Sequence, residues 1–453
     1  MSNKTGPASL LCQTFLLLAF LAIGAALPMA EASSDRFVAV SCSSSNVMAL
    51  SENGTVWTWG RIYWGYENGS CEWYDQTTPV QVPIENVTAI SSGTDHSVAL
   101  KSDGTVWAWG YNYWGELGDG TRASEPLTPV QVVGLNNVES ISAGNGYTIA
   151  LKNDGTVWAW GMNNIGQLGD GTQENRYTPV MVKGLTDVVA IKGAALAIKE
   201  DGTVWSWRPG LFGVDEGNES SMAVFMGREG IPFQIQGLKN VRDIDTSISH
   251  TVFVKEDGTV WSWGHSGYGT LGDGTMIEIN APFITTPVQA RGLINVKSVS
   301  SASVALKNDG TVWVWGYNNF GKHGDGKSFD AKAVPTQVPG MSDVIAIASG
   351  SFNTVFLKKD GSVWTCGANN CGQIGDGTRS DWVLDSQNDE NDKRVPVRVL
   401  GSQGVVSTAQ ANDTLSPGPS QSSGFDLSTI ITMICLLFSG GLVYSALRKS
   451  RNS

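Results

Sequence analysis

The chain has many reactive side chains, but few stand where chemistry would need them. Its four histidines, His96, His250, His265 and His323, occur at none of the short spacings a zinc site uses. The tetrapeptide GDGT recurs at 118–121, 169–172, 272–275 and 375–378. Each copy brings one carboxylate, whereas calcium takes about six to eight oxygens, so a structural turn is the expected role. No Ser/His/Asp set or phosphate loop can be placed, and GxG fragments carry no weight in a chain with 54 glycines. Acidic residues are plentiful, so a glycosidase pair stays formally open, yet nothing singles one out. The expectation is no catalytic residue, no metal ligand and no cofactor.

Aromatic side chains are better placed. Tyr63, Tyr66, Trp73 and Tyr74 crowd one stretch, and Tyr111 and Tyr113 crowd another. Exposed rings on a rigid frame are the usual material of a protein or glycan contact. These six are the candidate binding residues. The competing expectation is that they only pack a longer loop.

Cysteines and asparagines offer covalent chemistry. Cys12 and Cys435 fall in terminal apolar runs, which leaves Cys42, Cys71, Cys366 and Cys371, an even number suited to an exported domain. Cys366 and Cys371 each replace an apolar residue of a repeat, in the same unit, which predicts that they touch and form a disulfide. Cys42 and Cys71 would then form a second pair, with three connectivities formally allowed. Asn53, Asn68, Asn86, Asn218 and Asn412 head N-x-S/T sequons and are candidate glycan sites. Asn53 and Asn68 fall in tight turns, so local turn chemistry is their competing role.

The elements that must position these residues are written as a repeat. A (D/N)-G-(T/S)-V-W signature occurs seven times, with its Trp at Trp57, Trp107, Trp158, Trp205, Trp261, Trp313 and Trp364. Each unit holds three phrases, of the kinds VTAISSGTDHSVAL (87–100), GTVWAWG (104–110) and PVQV (129–132). Alternation of apolar and polar residues in SVALKSDGTVWAWG is the pattern of strands, and Asp-Gly between them supplies a tight hairpin turn. No unit can bury its own apolar face. Seven sheets stacked in a ring would bury one another's and leave few edges. The expected fold class is all-β, a seven-bladed β-propeller. Units 4 and 6 have a shortened first phrase, and unit 4 carries an insert at 214–233, so the ring should be uneven there.

The motif ALKxDGTVWxWGxNxxGQLGDGT and its sevenfold recurrence over residues 37–399 resemble the regulator of chromosome condensation repeat family. The resemblance implies a seven-bladed propeller that works by protein contact. It does not carry over the founding member's action on chromatin and a small GTPase, because this chain is acidic and has the layout of an exported protein. It looks instead like an exported, prokaryotic-type member.

Subtracting the scaffold leaves the loops. Thirteen of the 17 tryptophans belong to V-W-x-W-G and should be inter-blade core. Trp64 and Trp114 align with Ile165, Phe212, Tyr268 and Phe320 in an apolar column, which predicts core there too. Tyr63 and Tyr113 stand where other units have Asn164, Asn319 and Asn370. The residue after the V-W-x-W-G motif varies freely, which predicts a solvent-facing position at Arg61 and Tyr111.

Both ends differ from the middle. Residues 10–27 form an apolar run behind Lys4, with a small-x-small site ending at Ala32, the layout of a secretory signal peptide over 1–32. The propeller is expected over 33–400 and a Ser/Pro/Gly-rich stalk over 401–426. An apolar run over 427–447 has the length of a transmembrane helix, and the basic tail 448–453 would stay cytoplasmic. A processed surface-sorting tail has a similar layout. The net charge of −12 repels phosphate backbones and argues against nucleic acid. Together these readings predict a non-enzymatic, membrane-anchored propeller outside the cell that recognises an extracellular or envelope protein. Glycan or cell-wall binding is the first alternative, and an extracellular enzyme the second.

Overall fold

The structure is a computed structural model that describes residues 36–402, apart from 68–69, 123–127, 194, 208–229, 248, 278–280, 301–302 and 381–390. The expected signal peptide, the stalk beyond Ser402, the anchor, the tail, Asn68, Asn218 and Asn412 lie outside the described residues. Among the described residues, no helix is long and apolar enough to cross a membrane.

Seven antiparallel sheets of four strands each follow one another along the chain. Blade 2 is typical: β5 (Val87–Ser92), β6 (His96–Lys101), β7 (Val106–Gly110) and β8 (Val130–Gln131), hydrogen-bonded in that order. The first strands of successive blades touch around the ring, and the first strand of blade 7, β25 (Val344–Ser349), touches that of blade 1, β1 (Phe37–Cys42). Every blade is built from consecutive strands, so neither end of the array lends a strand to the other. Closure rests instead on contacts between blades 7 and 1, such as Arg36 Nη2 donating to the Lys359 carbonyl at 2.9 Å and the Gly377 amide donating to the Thr77 carbonyl at 3.0 Å.

The core sits between blades, as the pattern demands. Each of the seven junctions holds its own apolar cluster drawn from two neighbouring sheets. The second Trp of the motif is buried there, and in blades 1, 3, 4 and 6 its indole N–H donates to a loop carbonyl of the preceding blade. Trp160 bonds the Glu116 carbonyl at 2.8 Å, Trp207 that of Gln167 at 2.9 Å, and Trp59 that of Gln373 at 3.1 Å. The first Trp lies nearer the surface, beneath a lysine in blades 2–7, as in Lys255 over Trp261 at 4.0 Å. Blade 1 has Ser51 at the lysine position.

The turns follow one rule. Gly104 has a φ of 78°, which an L side chain rarely adopts. Asp103 Oδ1 accepts the Thr105 amide at 2.9 Å and its hydroxyl at 2.6 Å. These DGT turns and the links between blades share the lower face. The first-to-second turns and the third-to-fourth loops share the upper face, where the sequence varies. Blade 4 is thin as expected, its last two strands being Val204–Ser206 and Phe233–Gln234; most of its predicted insert lies outside the described residues.

Candidate recognition face

Blade 1 departs most from the repeat. Its third and fourth strands, β3 (Val56–Glu67) and β4 (Ser70–Val82), have 12 and 13 residues and form a long hairpin on the upper face. Register pairs Arg61 with Asp75, Ile62 with Tyr74, Tyr63 with Trp73, Tyr66 with Cys71 and Glu67 with Ser70. The side chains of 63–73 lie outside the described ones, so Tyr63, Tyr66, Trp73 and Cys71 are placed here by backbone alone. Tyr74 is 54% exposed. The hairpin base is tied to blade 7 through Asp75, which receives Arg61 on one oxygen and Arg379 on the other, each at 3.1 Å.

In blade 2 the predicted tyrosines do meet. Tyr111 and Tyr113 stack with centroids 6.2 Å apart, Tyr113 meets the edge of Trp114 at 4.7 Å, and Arg122 lies 5.1 Å over Tyr113. Tyr113 is 41% exposed. Beneath it, Glu116 is 1% exposed and accepts the Trp114 amide at 2.7 Å. In blades 3 and 7 the same place holds a glutamine. Gln167 accepts the Ile165 amide and donates to Asn164; Gln373 accepts the Cys371 amide and donates to Asn370. Blade 2 has Tyr113 for that Asn and an acid for that Gln. With no amide to offer and little water, the Glu116 carboxyl is pushed up to about 8 by burial.

A cleft of about 40 Å³ opens between blades 1 and 2, lined by Ser45, Asn46, Arg61, Asp95, His96 and Trp109 among others. That volume suits one or two waters rather than a metabolite. His96 bonds Thr148 of the next blade through Nε2 at 2.8 Å, and His250 bonds Ser303 likewise at 2.7 Å. Both rings thus bridge neighbouring blades, and burial lowers them to about 4 and about 3. His323 fills the buried position of Leu117, Leu168, Leu271 and Ile374, and burial holds its ring well below the usual range.

The GDGT carboxylates are held in their turns: Asp119 accepts the Thr121 amide at 2.9 Å and Asp376 the Thr378 amide at 3.0 Å. Asn53 plays the same part in blade 1, accepting the Thr55 amide at 3.1 Å. Asn86 has a φ of 61° in a column with Asn137, Asp187, Asn240, Asn295 and Asp343, a left-handed link residue. Both are exposed.

Two expectations are corrected. Cys366 and Cys371 are free thiols. Cys366 sits in the blade 6–7 junction, in the place of the second Trp, and donates to the Lys322 carbonyl at 3.2 Å. Cys371 belongs to the opposite flank of blade 7, where its thiol faces Ser45 and Arg61 of blade 1. The two substitutions sit in one unit but serve different junctions. Cys42 is also a free thiol, accepting from Asn353 Nδ2 at 3.2 Å, so it forms no pair with Cys71. Burial pushes Cys42 up to about 12 and Cys371 to about 11.

The second correction concerns the apolar column. Ile165 is 38% and Tyr268 39% exposed, Trp114 and Phe320 are half-buried, and among the described members of the column only Cys371 is covered. These residues precede a loop glycine on the upper face, so, Cys371 apart, their side chains lie on the rim and not in a junction. The alignment therefore missed a second aromatic group, in which Tyr268 pairs with Tyr317 at 4.8 Å and Phe320 with Phe329 at 5.2 Å.

Comparison with known proteins follows the same lines. Two family models described as regulator of chromosome condensation (RCC1) repeat match, one at 103–151, 154–195, 257–304 and 309–357, the other at 37–61, 87–115, 138–167, 241–270, 294–322 and 344–373. Together they span more than half of the chain. The chain belongs to the RCC1 repeat family.

Among RCC1-repeat relatives, the E3 ubiquitin-protein ligase HERC2 of Mus musculus is 30% identical over 246 residues, 53% of this chain but 5% of that protein. The ultraviolet-B receptor UVR8 of Arabidopsis thaliana is 27% identical over 54% of this chain and 57% of its own length. This chain thus spans less than two thirds of each of these relatives. Among solved structures, Prp20p of Saccharomyces cerevisiae superposes with a TM-score of 0.56 at 23% identity, covering 69% of this chain and 80% of that one. A complex of Kap60 with yeast RCC1 (Prp20) gives 0.59 at 20% identity, covering 72% and 78%. These likenesses establish the fold.

Proposed function

We propose that this protein is a non-catalytic recognition module, an RCC1-repeat propeller whose upper face docks a protein partner through the loops of blades 1 and 2. The observation that carries the reading is the stacked Tyr111–Tyr113–Trp114 group, with Tyr113 exposed and Arg122 over its ring. Aromatic and arginine side chains on a rigid rim are the composition of binding hot spots. Yeast Prp20p binds Gsp1p and histones, and another structure has it bound to Kap60. We carry over only the class of partner, a protein. HERC2's ligase name does not come with the match, since this chain covers 5% of that protein.

An enzyme reading would need an open site with an accessible acid or base. Glu116 is covered, and the adjoining cleft holds about 40 Å³, which favours recognition. We further propose export, with residues 1–32 as signal and 427–447 as anchor, so that the propeller stands outside the membrane and meets an extracellular or envelope protein. The apolar run at each end supports that placement.

The test is affinity capture from secreted and envelope fractions with the full chain, beside a variant carrying Tyr74→Ser, Tyr111→Ser and Tyr113→Ser. A protein held by the parent and lost by the variant is the expected result. Equal retention would move the site off blades 1 and 2. Retention on a glycan array alone would replace the protein-partner reading.

A further inference from the structure

The second aromatic group, on blades 5–7, is not explained by packing. Tyr268 and Phe329 are 39% and 38% exposed. Tyr268, Phe320 and Phe329 have φ values of 54°, 55° and 55°, a left-handed backbone that bulky L residues rarely adopt. Phe320 lies at the centre, edge-on to Phe329 and edge-on to Phe352 of blade 7 at 5.5 Å. Such strain at partly exposed rings fits a surface shaped for contact, because a buried core would not ask for it.

Lys322 adjoins these rings, two positions after Phe320 in the same loop. It occupies the place of Gln167 and Gln373, whose amides fold back on Asn164 and Asn370. Lys322 does not fold back. Its ammonium reaches the Ser351 carbonyl at 3.3 Å, next to Phe352, and forms no ion pair among the described residues. Asn319, which holds the Asn164 position, keeps a buried Oδ1 without a hydrogen bond. Later in the loop, by contrast, Lys332 is neutralised by Asp325 at 2.6 Å and Asp330 at 3.3 Å. Lys322 is half-buried, and the desolvation this brings lowers its pKa to about 8. A partly desolvated ammonium without a counter-ion gains from a carboxylate.

We propose that this shelf is a second docking site, for an extended peptide segment that offers a carboxylate to Lys322 and an apolar side chain to the Phe320, Phe329 and Phe352 rings. A peptide fits better than an acidic sugar. The rings pack edge-to-face at 67° and 84°, filling one another's faces and leaving an apolar shelf, whereas a sugar stacks on an open ring face. The proposal extends the protein-recognition reading to another part of the upper face, and it fails separately from it.

The test uses the purified full chain on an array of blocked eight-residue peptides that combine Asp or Glu with Leu, Ile, Phe or Tyr, printed beside the same peptides with Asn or Gln for the acids. Acidic members should be held about tenfold more tightly than their amide counterparts. Lys322→Gln, which restores the residue of blades 3 and 7, should bring that preference close to one. Phe329→Ser should weaken both sets, and Tyr113→Ser should change neither. No retention, no preference for acids, or a preference that survives Lys322→Gln would overturn the proposal. Loss with Tyr113→Ser alone would also overturn it and assign the peptides to blades 1 and 2.

Discussion

The upper-face loops of blades 3 and 7 and those of blades 2 and 6 are built on one frame and edited in opposite ways. In blades 3 and 7 the loop satisfies itself: Gln caps a backbone amide and its own amide is taken by Asn. In blade 2 the same two places hold Glu116 and Tyr113, and in blade 6 they hold Lys322 and Asn319. The edited loops carry a covered acid, an uncompensated cation and exposed rings, none of which a propeller needs in order to close. The frame itself is indifferent, because the next blade's Trp or Cys bonds the backbone carbonyl of that residue whatever its side chain. Stability is thus written in the backbone and junctions, and the proposed function assigns recognition to side chains that the frame does not use.

The largest expected effect tests the indifference of the frame. Trp160→Ala and Trp207→Ala should each cost about 4 kcal/mol in denaturant unfolding, and should cost the same although one indole bonds an edited loop and the other a regular one. Unequal costs would break the comparison.

Next comes Glu116→Gln, which gives blade 2 the regular side chain. The folded pKa of Glu116, about 8, lies above the ordinary carboxylate value. Between the two, the folded state holds a proton that the unfolded state has lost. Its penalty is therefore absent at pH 4 and grows as pH rises to about 8. The substitution should stabilise by about 2 kcal/mol at pH 8 and by nothing at pH 4, read from unfolding midpoints. A pH-independent gain would mean that the acid is hydrated.

His323→Leu should stabilise by about 1 kcal/mol at pH 7, with a larger gain at pH 5. The folded pKa is depressed, so the unfolded chain takes up a proton that the folded chain refuses once pH falls below the usual histidine value. A smaller gain at pH 5 than at pH 7 would contradict the burial of a neutral ring. The smallest effect is Lys255→Ser, which copies Ser51 of blade 1 and removes the ammonium over Trp261. A loss of about 0.5 kcal/mol is expected, with the fold unchanged by circular dichroism.

Much of this was legible in the sequence, for a physical reason. Inter-blade burial and tight turns impose the same residue at the same place in each unit, so the strands, the buried second Trp and the DGT turns could be read from recurrence. Recurrence fails where one unit differs. The hairpin of blade 1 departs from the loop pattern, and its clue was Asn68-Gly69, the two residues joining paired Glu67 and Ser70, a strong hairpin signal. Cys366 and Cys371 are both substitutions of apolar positions, but column membership says nothing of which junction a side chain enters. The Trp114–Tyr268–Phe320 column misled in the same way, since an apolar rim and an apolar core read alike in one dimension.

The central claim is that a protein partner binds the upper-face loops of blades 1 and 2. Hydrogen–deuterium exchange on the full chain, with and without its captured partner, tests it most directly. The account predicts slowed exchange in the hairpin over 60–82 and the loop over 111–121, with the DGT turns of the lower face unchanged. Protection confined to those lower-face turns would contradict it.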